Sequence, residues 1–199
     1  MEFVELIDKL RNNSKVGLFC SGGFDSTTLA YLICSIIDKH KLSTDLVIIT
    51  VPRYDDSWRH AENTITWLKD KLHVKLKHLS VGDPTLHHSK QVSSGITAMR
   101  KLDPTMLLIL ADTQNPTDEI QGTAPVRTKS LNPLNYQPWI NLDKTEVIKL
   151  AQQLGILDEV SRLSHSCTQS TELRCGSCWQ CRERAWAFKK LNLIDIGDK

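Results

Sequence analysis

The sequence predicts an α/β protein: a parallel sheet with helices on both faces. Three observations predict it. Apolar runs without alternation recur at 16–20, 46–51 and 105–110, the mark of strands buried on both sides. Stretches with apolar residues at helical spacing lie between the early runs. A Ser-Gly-Gly turn directly follows the first run.

Each element has its own warrant. Phe3, Leu6, Ile7 and Leu10 predict a short amphipathic helix over 2–12. The strand at 16–20 ends at Ser21-Gly22-Gly23. Leu29, Ile33, Ile36 and Ile37 predict a helix that starts near Asp25. After the second strand, Ala61, Ile65, Leu68 and Leu72 mark another helix, and 74–79 reads as a weaker strand. The run at 105–110 carries Ala111-Asp112 at its carboxyl end. Residues 113–138 hold four prolines and read as a long loop, which in a compact domain is more often functional than idle. From 143 to 154 a helix is expected: Asp143 and Glu146 form a capping box, Val147, Leu150, Ala151 and Leu154 make its stripe, and Gly155 ends it. Strand–helix alternation of this kind gives a parallel sheet whose ligands bind beyond the strands' carboxyl ends. Gly22, Asp112 and the segment after Val51 all belong there. The organisation expected is a sheet domain over 1–155 and a C-terminal cysteine segment over 156–199 packed on the same domain.

Composition sets limits. The chain has 199 residues, with 25 Lys plus Arg against 23 Asp plus Glu. That near-balance argues against a protein built to grip duplex DNA, and there is no strong nucleic-acid signal. Apolar residues make up 40% of the chain, enough for a sizeable core. No apolar run reaches the length of a membrane span. The first residues, Met1-Glu2-Phe3-Val4-Glu5, carry acid where a secretory signal would carry base, so a cytoplasmic protein is expected.

The sharpest local motif is Ser21-Gly22-Gly23-Phe24-Asp25-Ser26-Thr27, after a strand and opening a helix. Glycines let an anion approach the backbone, and successive amides at a helix N-terminus converge on it. A diphosphate fits such a site. No Walker lysine is present; the motif resembles the pyrophosphate loop (PP-loop) of ATP pyrophosphatases, S-G-G-x-D-S. Asp25 is either a helix cap or a ligand for Mg2+ beside the phosphates. Cys167, Cys175, Cys178 and Cys181, spaced C-x7-C-x2-C-x2-C, suffice for a tetrahedral Zn2+ site, with an iron–sulfur cluster as the competitor. Cys20 and Cys34 read as small core residues. Adjacent His87 and His88 read as exposed, and the five tryptophans as packing.

Together the two motifs resemble the 7-cyano-7-deazaguanine synthase family. The likeness covers residues 16–29, then Tyr54, Arg59, His60 and Glu62, then 138–188. The last stretch holds an apolar strand, Asp143-Lys144-Thr145-Glu146, Ser166-Cys167, Cys175-Gly176-Ser177-Cys178, Cys181, Arg184 and Ala187-Phe188. The resemblance implies a Rossmann-like (adenine nucleotide alpha hydrolase-like) fold, with 1–155 as a PP-loop nucleotide-binding domain, and an enzyme that converts 7-carboxy-7-deazaguanine to the nitrile preQ0, in queuosine biosynthesis. ATP activates the carboxylate as an adenylate, ammonia gives an amide, and a second ATP-driven step dehydrates it. By that likeness residues Ser21 to Thr27 hold ATP, the four cysteines hold structural Zn2+, Asp25 and Lys144 are catalytic, and a homodimer is expected. Lys144 otherwise reads as an exposed first-turn lysine. Arg100 and Arg127 are further candidate cations, with solvated surface charge as the favoured reading.

Two signatures of the family read differently here. Val92-Ser93-Ser94-Gly95-Ile96-Thr97 stands where the family has a proline-glycine-arginine-asparagine turn. Asp112-Thr113-Gln114-Asn115-Pro116 stands where it has a substrate loop. The alternatives are therefore a relative that stops at the amide or joins another amine, a tRNA sulfurtransferase of the PP-loop kind, and a nucleotide-binding protein without turnover.

Overall fold

The computed structural model describes residues 3–52, 57–72, 74–86, 88–116, 120, 122–170 and 172–197. In chain order these form α1 (Val4–Arg11), β1 (Lys15–Phe19), α2 (Phe24–Lys39), β2 (Asp45–Thr50), a 3-10 turn (Ser57–Arg59) and α3 (His60–Lys71). There follow β3 (Leu76–Ser80), α4 (His88–Leu102), β4 (Leu107–Ile109), β5 (Asn135–Tyr136), α5 (Lys144–Gln153), α6 (Leu157–Leu163) and α7 (Trp179–Lys190).

All strand pairings are parallel, in the order β3-β2-β1-β4-β5. The order reverses at β1, so the crevice between the carboxyl ends of β1 and β4 is the switch point where α/β sheets bind ligands. Successive side chains of a strand point to opposite faces. Here they feed two separate cores. Val16, Leu18, Leu46, Ile48, Leu107 and Ile109 face a large core with α2, α3, α5, α6 and α7. Phe19, Val47, Ile49, Leu108 and Leu110 face a smaller one under α4, through Ile96 and Met99. Gly95 permits that close approach: a Cβ there would lie 2.6 Å from Val51 Cγ2 and 2.8 Å from Phe19 Cε1. The sheet with helices on both faces is as expected from the sequence.

Three details differ. Helix α4 was not anticipated, because its buried face includes Gln91 and Gly95. The strand expected near Pro138 is a turn there, and the short edge strand β5 precedes it. The third strand begins at Leu76, not at 74. Tyr54 and His87 lie outside the described residues, and His88 opens α4.

Candidate functional site

Strand β1 delivers the chain to the switch point, and Cys20 N–H still bonds Ile49 O at 2.8 Å. The backbone then turns through Gly22 at φ +75°, and Gly23 is the N-cap of α2. A Cβ on Gly22 would sit 2.5 Å from Ala61 N, so only glycine fits against the start of α3. No side chain caps α2, and its first-turn amides have no partner within the helix. Phe24 N–H reaches only Ser166 Oγ, at 3.4 Å. Ser26 Oγ accepts from Ser21 N–H at 3.2 Å and lies 3.3 Å from Ser21 Oγ. Two hydroxyls and an open helix N-terminus thus share one spot, the requirement for holding an anion.

This spot opens into a cleft of about 290 Å³. Ser21, Gly23, Phe24, Asp25 and Ser26 line it. So do Asp112 and Thr113 from the end of β4, Lys144 from α5, and Ser166 and Cys167. Two loop residues do other work. Gly22 turns the chain against α3. Thr27 is fully buried and shares a hydrogen bond of 3.0 Å with Thr64. Phe24 contributes backbone to the cleft; its ring packs edge-on against Phe188, at 5.8 Å between centroids.

Lys144 is the first residue of α5, fixed by the capping box that the sequence announces. Asp143 accepts from Thr145 N–H at 2.8 Å, and Glu146 accepts from Asp143 N–H at 2.9 Å. The lysine is 4% exposed, not a surface residue, and its ammonium pairs with Asp25 across 119 positions of sequence. It also lies 3.5 Å from Glu183 Oε2. Glu183, fully buried on α7, takes a fork from Arg127 at 2.5 and 3.0 Å. Two carboxylates and two cations therefore interlock. Burial pushes the Asp25 carboxyl up, with Lys144 opposing and Glu183 adding to the rise. Burial would also raise Glu183, but Lys144 and Arg127 hold it below the ordinary glutamate range. Oδ1 of Asp25 is buried without a hydrogen-bond partner. That orphan oxygen fits a cation bound beside phosphate.

Arg127 is thus no surface charge. Arg100 is not at the site: it donates to Met106 O, Leu134 O and Asn135 Oδ1 at 2.6–2.9 Å, at the opposite end of the sheet. Glu183 was missed by the sequence reading. Its one signal is its place on α7, two residues after Cys181. His165 was missed as well; it lines the cleft and stacks on His60 at 4.4 Å.

The four cysteines come together as the spacing requires. Their sulfurs all lie within 4.8 Å of one another, and Gly176 at φ +67° makes the turn between ligands. Amides of Ser177 and Cys178 donate to Cys175 Sγ at 3.4 and 3.2 Å, as does Gln169 N–H to Cys167 Sγ at 3.4 Å. Such donors favour the thiolate. Although burial opposes it, they and the Ser177 hydroxyl hold Cys175 down to about 6. A tetrahedral ion with bonds of ~2.3 Å spaces its sulfurs by roughly 3.8 Å. The cage fits a single ion. Cys20 and Cys34 are buried thiols outside the cluster. Burial pushes both up, Cys34 to about 12.

Comparison with known proteins bears on the C-terminal half. Residues 122–192 match the family "Queuosine biosynthesis protein QueC". A 7-cyano-7-deazaguanine synthase of Nostoc punctiforme is 45% identical over 58 residues, 29% of this chain and 25% of that protein. The namesake from Persephonella marina is 35% identical over 60 residues, 30% of this chain and 25% of that protein. The matches span about a quarter of these relatives' length. Among solved structures, U34-tRNA thiolase NcsA from Methanococcus maripaludis, with its 4Fe-4S cluster, aligns at TM-score 0.49 and 16% identity. That alignment covers 95% of this chain and 72% of the thiolase. The matched stretch, residues 122–192, holds Arg127, Lys144, Glu183 and all four clustered cysteines.

Proposed function

We propose that this chain activates 7-carboxy-7-deazaguanine with ATP as an adenylate, that ammonia displaces AMP to give an amide, and that a second ATP activates the amide oxygen, which leaves with AMP to give 7-cyano-7-deazaguanine. The observation that carries the reading is the buried Lys144–Asp25 pair at the open N-terminus of α2, in the same cleft as Cys167. The QueC-family match over 122–192 supplies the substrate class.

A carboxylate is a poor electrophile, so AMP must become its leaving group, and the charge that develops needs fixed donors. In this reading Ser21, Gly23, Phe24 and Ser26 hold the phosphates through backbone and hydroxyl groups, and Gly22 makes the turn that presents them. Thr27 supports the loop from beneath through Thr64. Asp25 Oδ1 would hold Mg2+, which supplies positive charge beside the phosphates. Lys144 offers its ammonium to the oxygen that AMP carries away. The acceptor half of the cleft has apolar walls from Ile49, Val51 and Leu110, with Gln91 and Thr113 as polar contacts. The cysteine cage would hold Zn2+ and fix the start of α7. The enzyme is cytoplasmic and dimeric in this reading; among the described residues no helix is long and apolar enough to cross a membrane.

Mass spectrometry tests it. Incubation with ATP, Mg2+, ammonium and 7-carboxy-7-deazaguanine should yield the nitrile with AMP. A persistent amide would favour the second reading, a relative that halts there. Its motive is the segment after β4, where Asp112 is engaged by Gln137 at 2.7 Å and Arg127 by Glu183, leaving few charged groups to read a base. No substrate-dependent AMP would refute both. A thiolating enzyme that uses Cys20 or Cys34 is disfavoured by their burial and raised thiols.

A further inference from the structure

We infer that Glu183 is a positioning residue that couples the cysteine cage to the cations of the nucleotide site. The inference rests on the nucleotide reading just given. Helix α7 supplies both ends of the link. Cys178 is its N-cap, Cys181 sits in its first turn inside the cage, and Glu183 follows two residues later. The side chain of Glu183 is fully buried, so it has one place to go. There one oxygen takes Arg127 at 2.5 Å, and the other takes Arg127 at 3.0 Å and faces Lys144 at 3.5 Å.

The arithmetic of charge gives Glu183 its role. Lys144 stands between Asp25 and Glu183, with Arg127 beyond, so two positive and two negative groups balance. With Glu183 present, Lys144 pairs directly with Asp25 and also faces Glu183 at 3.5 Å, so its charge is shared between two acids. Arg127, which lines the same cleft, is tied to α7 through Glu183 and to the segment after β4 through Thr113. Without the Glu183 charge the network carries one surplus cation beside a polyanion's seat. Arg127 loses its fork to α7 and keeps its bonds to Thr113 and Gln114, and Lys144 is left to Asp25. Nucleotide would then bind more tightly in the ground state, while the geometry that serves the transition state is lost. Tighter ground-state binding with slower chemistry is the signature of lost positioning. A cage that fixes the first turn of α7 fixes Glu183 with it.

The test is a cycle on the metal-loaded full chain, with ATP·Mg2+ titrated calorimetrically. Glu183→Gln keeps the shape and removes the charge. The expected result is binding ~10-fold tighter, unchanged metal content, and AMP release slower by ~10–100-fold. Glu183→Asp, which keeps the charge, should move affinity back toward the parent. Chelation of the metal, which loosens α7, should change ATP affinity by a larger factor in the parent than in Glu183→Gln. Equal affinity in parent and Glu183→Gln overturns the coupling. So does weaker binding by Glu183→Gln that the aspartate variant fails to restore, which marks a merely structural residue. So does a chelation effect of equal size and sign in both proteins. A parent chain that binds no ATP sinks the nucleotide reading and the coupling with it; a parent that binds with an indifferent Glu183 sinks the coupling alone.

Discussion

Lys144 has the most to lose from a single change. Lys144→Met would leave Asp25 and Glu183 in one buried pocket with Arg127 alone, and like charges that close raise each other's proton affinity. We expect substrate-dependent AMP release to fall ~100- to 1,000-fold, checked by a coupled AMP assay, with a lower melting temperature at pH 8 than at pH 6. Asp195 makes the second residue-scale case. It takes Arg184 at 2.6 and 2.8 Å and Arg174 at 2.5 Å. Burial opposes its charge, yet the two arginines hold its carboxyl below the usual 3.8. A depressed folded value means that its contribution is complete above the unfolded value and lost as pH falls through the folded one. Asp195→Asn should cost ~3–5 kcal/mol at neutral pH. In urea titrations that deficit should shrink below pH 4. Asp25, Lys144 and the cysteines could be singled out from sequence because motifs mark them. The pairing of Asp25 with Lys144 could not, because only the fold brings together residues 119 positions apart. Glu183 and Asp195 carry no local motif; their importance comes from burial, which composition does not reveal.

Elements were legible in proportion to their local signals. Helix α5 could be read almost to its ends, since cap, stripe and terminal Gly155 agree, and the structure reproduces each. This gives an element-scale prediction. Asp143→Ala removes the capping box and should cost about 0.5–2 kcal/mol, read as a shift in denaturant midpoint. It should also cost more activity than that loss of stability explains, because the cap sets the first turn from which Lys144 reaches Asp25. Helix α4 was illegible for the opposite reason. Its contact with the sheet runs through Gly95 and Gln91 as well as Ile96 and Met99, while Val92 is 46% exposed. A close-packed helix needs small residues at the contact, and these blunt the periodicity that sequence reading depends on. Strand β5 has two residues and no pattern to find.

At the scale of the molecule, the parallel sheet was legible because strands buried on both sides are apolar throughout, and the strand order then sets the site at the switch point. What the cage does for the rest of the chain was not legible, because cysteine spacing says nothing of what lies behind the ligands. Behind them α7 enters the main core through Ala187 and Phe188. Metal removal should therefore reach beyond the cage. Chelation is expected to lower the melting temperature by ~10 °C or more and to reduce helical circular dichroism, whereas a mild reductant without chelator should change neither. Metal analysis should return zinc and a colourless protein. Arg184 adds a consequence of another kind. Its guanidinium lies 5.1 Å from the Phe24 ring and 5.7 Å from Phe188, and it is held by Ser161, Ser164 and Asp195. Phe24 opens α2, so the open end of that helix rests on a guanidinium that Ser161, Ser164 and Asp195 already hold. A guest docking at that end would meet a prearranged support, and less of the protein's own freedom would be lost on association.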